Sequence, residues 1–201
     1  MIENREKDRR FSEKEGRLLL LVARFTIAKK LGIHLDGEEF LELKKSLKQD
    51  VFGQKMGVFV TLHLNGELRG CIGNLEPEDS VRRAVGENAL NAAFHDPRFP
   101  PLTEAEFAQV DLEISILSKP QPLFYATPED LVSKLVSKQD GVIISRKGVK
   151  ATFLPQVWEQ LPRAEEFLSH LCMKAGLAQN EWKTPGLKVM TYQVQYFSEN
   201  S

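Results

Sequence analysis

The sequence has few of the features that by themselves identify a class of protein. Lysine and arginine total 27 against 28 aspartates and glutamates, a net charge of -1, which disfavours a protein whose main role is to coat nucleic acid. No apolar run approaches the ~18 residues that a membrane-spanning helix needs. The first ten residues are charged throughout and lack the apolar region of a signal peptide. We therefore expect a cytoplasmic protein that does not enter a membrane.

Signatures of catalysis and metal binding are also missing. The chain has two cysteines, Cys71 and Cys172, and four histidines, and their spacing forms neither a CxxC pair nor a zinc site. The glycine-rich phosphate loops, the GxSxG nucleophile motif and HExxH do not occur. The sequence thus predicts no metal and no cofactor, and it predicts that both cysteines are reduced.

The patterns that are present predict an α+β fold. A capping box at Ser12–Glu15 precedes a long apolar helical stripe, and Asn65-Gly66 between two apolar runs is a strong hairpin signal. Hairpins dominate over strict alternation of strands and helices, which favours a mainly antiparallel sheet flanked by helices. With 201 residues, 42% of them hydrophobic, we expect one domain over 12–201. Residues 1–11 are predicted to form a solvated tail and residues around 32–56 a small second lobe.

The most informative segment is Leu68-Arg69-Gly70-Cys71-Ile72-Gly73, which places a guanidinium, a thiol and two glycines in one short apolar strand. Side chains alternate along a strand, so Arg69 and Cys71 are predicted to share one face, while Leu68 and Ile72 anchor the other. Such a strand offers backbone, guanidinium and thiol to another molecule.

Cys71 allows two interpretations. In the first it is a nucleophile, with Arg69 lowering its pKa or holding an anionic substrate and His95 acting as base beside Asp96; His63 is the other nearby histidine. In the second it is a small buried hydrophobic residue, as most free cysteines are.

Arg69 and the two glycines of the hexapeptide also allow two interpretations each. Arg69 either binds a carboxylate or phosphate in a cleft, or forms a structural ion pair, for example with Glu67, Asp111 or Glu113. Gly70 and Gly73 either let backbone N–H groups converge on an anion, or form a bulge and a turn.

The loop that begins at His95 has polar residues set among prolines, a frame that positions functional groups. Its alternative is a structural turn in which Asp96 accepts local backbone hydrogen bonds and pairs with Arg98. The predicted ligand-binding residues are Arg69, Gly70, Gly73, Asn74, Asp96, Arg98 and Phe99.

The hexapeptide and several later stretches resemble the AMMECR-type family, called AmmeMemoRadiSam system protein A in prokaryotes. The resemblance covers roughly residue 12 to the end. It implies a fold, a working surface around the hexapeptide, a cytosolic location, and association with a Memo-type and a radical-SAM-type protein, but no particular reaction. The other matching stretches are Phe59–Leu62, Asp96–Leu102, Gly148–Pro155, Phe167-Leu168, Leu171-Cys172, Lys174–Leu177 and the tyrosine-rich C-terminal strand.

Three functions follow as hypotheses. The first is a binding or accessory protein whose cleft, around the hexapeptide and residues 96–99, holds an anionic small molecule or a partner's peptide. The second is an enzyme that uses Cys71 as nucleophile and Arg69 as anion holder. The third is RNA or nucleotide binding, which depends only on a basic hairpin at Arg146-Lys147-Gly148 and on the GxxG spacing of the hexapeptide.

Overall fold

The computed structural model describes residues 10–34, 45–47, 49–76 and 79–200. These residues form two four-stranded sheets with helices, which confirms the α+β prediction. The helices, in chain order, are α1 (Glu13–Leu31), α2 (Val81–Phe94), α3 (Glu104–Phe107), α4 (Pro128–Lys134) and α5 (Ala164–Lys174). The strands are β1 (Gly57–Leu64), β2 (Glu67–Asn74), β3 (Val110–Leu117), β4 (Gln121–Pro122), β5 (Gly141–Arg146), β6 (Val149–Phe153), β7 (Lys188–Tyr192) and β8 (Val194–Ser198).

The chain divides into two compact units. One contains the chain up to Leu117 together with residues from Gln195 onward, and the other spans Ser118–Val194. The first unit holds the sheet β2-β1-β3-β8, and the second holds the sheet β4-β7-β5-β6.

Local sequence signals explain the main elements of the first unit. Ser12 and Glu15 form the predicted reciprocal cap at the start of α1. Asn65 and Gly66 have φ angles of 54° and 83°, the left-handed conformations that a tight hairpin turn requires. The hairpin of β1 and β2 is therefore present where the sequence predicts it, with the hexapeptide on its second strand.

The core of the first unit lies between its sheet and the helices α1 and α2. Val58, Val60 and Leu62 alternate along β1 and are fully buried in this core. Phe11 is also buried there, so it does not belong to the solvated tail predicted over 1–11, of which residues 1–9 lie outside the described residues. Its backbone exchanges two hydrogen bonds with the amide side chain of Gln195.

The predicted small lobe lies only partly within the described residues, because 35–44 and 48 are outside them. A short 3₁₀ helix, Asp50–Gly53, follows. Val51, Phe52 and Met56 are buried in the core of the first unit, so this part of the segment packs on that core.

The second unit has its own core. Trp158 stacks on Phe167 with ring centroids 3.9 Å apart and an interplanar angle of 9°, and both rings are buried in a cluster with Val142, Ile144 and Val189 of the sheet. Thr127 caps α4 and Pro128 occupies its first turn. Each unit thus buries a separate apolar cluster. That the two form the single domain predicted over 12–201 stays a prediction.

Candidate functional site

A bulge in β2 decides which side chains of the hexapeptide share a face. The pairing of β1 with β2 runs regularly from Val58↔Asn74 to Leu62↔Gly70 and then shifts to His63↔Leu68. Arg69 is the extra residue of this bulge. Leu68 therefore joins the row of Cys71 and is 41% exposed. The prediction that Leu68 anchors the opposite face is wrong, because one inserted residue reverses the alternation beyond it.

The backbone of Cys71 is held on the free edge of the sheet by two side chains of the loop after α2. Its N–H donates to Asp96 Oδ2 at 2.9 Å, and its carbonyl accepts from Arg98 Nη2 at 3.2 Å. A carboxylate and a guanidinium thus take the positions that the carbonyl and N–H of a further strand would occupy. This pairing covers an edge that would otherwise be open to another chain.

Asp96 is the centre of that arrangement. Its side chain is 1% exposed and accepts from Arg98 N, Nε and Nη2 at 3.1, 2.9 and 2.6 Å. The hydrogen bond from Arg98 and those from the backbone of Cys71 and Arg98 outweigh burial, and they hold the pKa of Asp96 far below its ordinary value. This is the structural-turn arrangement considered for the loop, extended to the backbone of Cys71.

Arg69 forms the structural ion pair that is one of its two predicted roles, but its partner is Glu106 in place of Glu67, Asp111 or Glu113. Its Nε and Nη2 donate to Oε1 and Oε2 of Glu106 at 2.9 and 3.1 Å, and Nη2 also donates to the carbonyl of Pro100 at 2.9 Å. The Arg69 side chain is 7% exposed, and its Nη1 is buried without a hydrogen-bond partner. The ring of Phe99 lies with its centroid 5.8 Å from this guanidinium and 5.5 Å from that of Arg98.

Glu106 has two roles at once. Its Oε2 also accepts from the N–H and the hydroxyl of Thr103, which caps α3. The bond from Arg69, followed by that from the Thr103 backbone, lowers the pKa of Glu106 to about 2. In the sequence, Glu106 is the last residue of a capping-box pattern that begins at Thr103, and such a pattern indicates a helix start and says nothing about a distant arginine.

Gly70 and Gly73 are required by close approach and not by unusual backbone angles. Neither has a positive φ. A Cβ on Gly70 would lie 2.2 Å from the carbonyl oxygen of Ala92 in α2, and one on Gly73 would lie 2.3 Å from the ring of Phe59. The first glycine lets a helix lie against the strand, and the second lets an aromatic ring lie over it.

The strand register shows which groups accompany Cys71. The Thr61 hydroxyl donates to the half-buried Cys71 sulfur at 3.3 Å. His63 lies on the same face, one row away, since paired residues of antiparallel strands point to the same side. Asn74 lies in the row of Gly70 and Ile72, on the opposite face.

His95, the predicted base, ends α2 and is exposed, and no hydrogen bond joins it to Cys71 in the part of the chain that the structure describes. The same described residues contain no group of three or more histidine, cysteine, aspartate and glutamate side chains arranged for a metal ion. They also contain no helix with the length and apolar character to cross a membrane.

Comparisons with known proteins identify the family of this chain. The family model AMMECR1 matches residues 21–197. A protein of Methanothermobacter thermautotrophicus is 42% identical over 94% of this chain and 96% of its own length, and one of Thermofilum pendens is 37% identical over 96% and 93%. The crystal structure of an uncharacterised protein from Pyrococcus horikoshii has a TM-score of 0.76 at 30% identity and covers 94% of this chain and 93% of that one. The chain belongs to the AMMECR1 family.

Proposed function

We propose that this protein is a cytoplasmic binding or accessory protein, and that the outer face of β2 around Cys71 and Leu68 receives a peptide segment of a partner. The observation that carries the proposal is that the charges of Arg69 and Arg98 are both neutralised within the protein. Each is matched by a carboxylate in a two-point ion pair, Arg69 by Glu106 and Arg98 by Asp96. The edge is therefore close to neutral, which favours a peptide over a small anion.

The surface itself has the character of a protein contact. Leu68 is a large apolar side chain that is 41% exposed, next to the half-buried thiol of Cys71. The hydrogen bond from Cys71 N–H to Asp96 and those that Arg98 and Thr61 donate to Cys71 hold this strand in place, so little conformational freedom is lost on binding.

The partner that we propose follows from the resemblance. It is the Memo-type or the radical-SAM-type protein of the AmmeMemoRadiSam system. The test is a binding measurement between this chain and each purified protein. Leu68→Asp is expected to weaken binding at least about tenfold, because a charge would then face an apolar contact. The matched control is Val149→Asp on β6, since Val149 is 39% exposed.

Three results would overturn this assignment. They are a failure of both proteins to bind, equal affinities for Leu68→Asp and the wild-type chain, and an equal loss in the control variant. A small-anion site predicts instead that phosphate or citrate raises the melting temperature of the wild-type chain and not that of Arg98→Ala.

A second candidate function is an enzyme that acts through Cys71. The hydrogen bond from Thr61 to the sulfur favours it, since a donor stabilises a thiolate, and so does His63 on the same face. The test is the rate of alkylation by iodoacetamide near neutral pH. An enzyme requires Cys71 to react faster than glutathione and to slow in Thr61→Val.

The chain provides an internal control for this test. Cys172 is fully buried, and burial raises the pKa of its thiol, so it is expected to react only after unfolding. Replacing His63 and His95 separately by alanine decides between the two histidines as base. Cys71 reacting no faster than glutathione would remove the enzyme hypothesis and leave the binding proposal standing.

A further inference from the structure

The second unit contains a cavity of about 600 Å³. None of its lining residues belongs to β2, which carries Leu68 and Cys71. It lies between the segment that follows β4 and the segment that enters β7. Its volume is in the range of small-molecule sites, and its wall is mainly apolar with a few polar groups, as such sites usually are. The residues that line it and matter here are Phe124, Tyr125, Ser145, Trp182, Lys183 and Lys188.

The cavity is held open by contacts of the protein itself. The hydroxyl of Tyr125 on one wall donates to the carbonyl of Leu187 on the other at 2.8 Å. Trp182 is buried, and its indole N–H donates to Ser169 at 3.0 Å. The carbonyl of Phe124 accepts from Lys134 at 2.9 Å. A ligand would therefore enter a preformed site, which lowers the entropy cost of binding.

The rim exposes an aromatic ring. Phe124 is 82% exposed, although burying a large apolar side chain away from water lowers the free energy. A flat apolar ligand in the cavity would cover one side of this ring. This contact and the apolar wall favour an aromatic or otherwise flat apolar body for the occupant.

Among the described residues, the cavity is lined by two lysines and by no acidic side chain. Lys183 Nζ lies 5.0 Å from the centroid of the Trp182 ring, and this ammonium also contributes to the lowered pKa of Glu129, after that residue's own backbone and Thr127. Lys188 has no ion pair within the described ranges of the chain. It is paired across the sheet with Ser145, so the two side chains lie on the same face of the sheet, and both residues line the cavity.

We propose that this cavity binds a small aromatic or apolar carboxylate, whose body lies against Phe124 and the apolar wall and whose carboxylate is held by Lys188 and Ser145. The charge of Lys188 selects the anion, and the apolar wall supplies most of the contact area. The proposal does not depend on the function assigned to the Cys71 surface.

The test compares two probes of nearly equal shape, 2-naphthoate and the neutral 2-naphthylmethanol, by calorimetric titration of the full chain. Naphthoate is expected to bind at one site and more tightly than the alcohol. Lys188→Met keeps the apolar stem and removes the charge, and it should weaken naphthoate about tenfold, which corresponds to about 1.4 kcal/mol, while leaving the alcohol unchanged. Ser145→Ala should weaken naphthoate less, and Phe124→Ala should weaken both probes.

Lys147→Met is the matched control, because Lys147 lies in the β5–β6 turn and does not line the cavity. An equal loss of naphthoate affinity in this control would overturn the proposal, as would equal affinities of the two probes or no binding of naphthoate. Cys71→Ala should leave naphthoate binding unchanged. The test of this cavity is therefore separate from the test of the face of β2 around Leu68 and Cys71.

Discussion

Glu106 shows how one side chain can connect a helix start to a strand bulge. It accepts from Thr103 at the beginning of α3 and from Arg69 in β2. Since the Arg69 side chain is 7% exposed, removing the carboxylate would leave a buried guanidinium without its counter-charge. We expect Glu106→Gln to lower the free energy of unfolding by about 3 kcal/mol at neutral pH. Urea unfolding measures this, with the exposed Glu104→Gln as control.

The same residue predicts a pH dependence. The pKa of Glu106 falls from 4.5 to about 2 on folding, so its stabilising contribution is fully present above about pH 4.5 and is lost as the pH falls toward 2. Asp96 contributes with the same sign, because its pKa is also lowered. Unfolding free energies measured between about pH 5 and 2.5 should decline less steeply in Glu106→Gln than in the wild-type chain. Parallel curves for the two proteins would contradict the assignment.

Asp96 leads to a local prediction. Asp96→Asn removes the charge that pairs with Arg98 and weakens the bond from the N–H of Cys71. Hydrogen exchange at that amide should accelerate, while the amide of Thr61, on the neighbouring strand, should change less. Arg98→Ala serves as a second variant, because it removes the ion pair and leaves the carboxylate in place. Unchanged exchange at Cys71 in Asp96→Asn would show that the loop does not hold this edge.

At the scale of elements, the contact of β2 with α2 depends on a missing side chain. A Cβ on Gly70 would lie 2.2 Å from the carbonyl oxygen of Ala92, and a helix backbone cannot move aside as a flexible side chain can. We expect Gly70→Ala to destabilise the fold by about 2 kcal/mol or more. Thermal unfolding checks this. Gly53→Ala is the control, since a Cβ there meets nothing within 4 Å, and it should be neutral or slightly stabilising.

Among the elements, some follow from the local pattern of residues and the bulge of β2 does not. The hairpin of β1 and β2 and the capping box at Ser12–Glu15 follow from residues a few positions apart. The bulge at Arg69 does not, since alternation alone placed Leu68 on the wrong face. A bulge is decided by the register of the partner strand, which lies across the sheet.

At the scale of the whole molecule, two apolar clusters raise the question of cooperativity. Both tryptophans, Trp158 and Trp182, belong to the second cluster, so their fluorescence reports that unit alone, while far-ultraviolet circular dichroism reports the helices and strands of both. Phe167→Ala should destabilise the second cluster by about 3–5 kcal/mol. The single-domain prediction requires both signals to shift to the same lower melting temperature. A dichroism transition that splits in two would contradict it.

The working surface around the hexapeptide stays a prediction, whereas the sequence by itself determined the α+β class, the Ser12–Glu15 cap and the hairpin of β1 and β2. These depend on backbone angles and hydrogen bonds among residues close along the chain, or on the apolar period of a single element. Only the tertiary structure decided that Glu106, 37 positions from Arg69, occupies its guanidinium, that Asp96 and Arg98 cover the Cys71 edge, and that His63 shares the thiol's face. Such contacts depend on how a helix, a loop and a strand pack together, and no local pattern of residues encodes that packing.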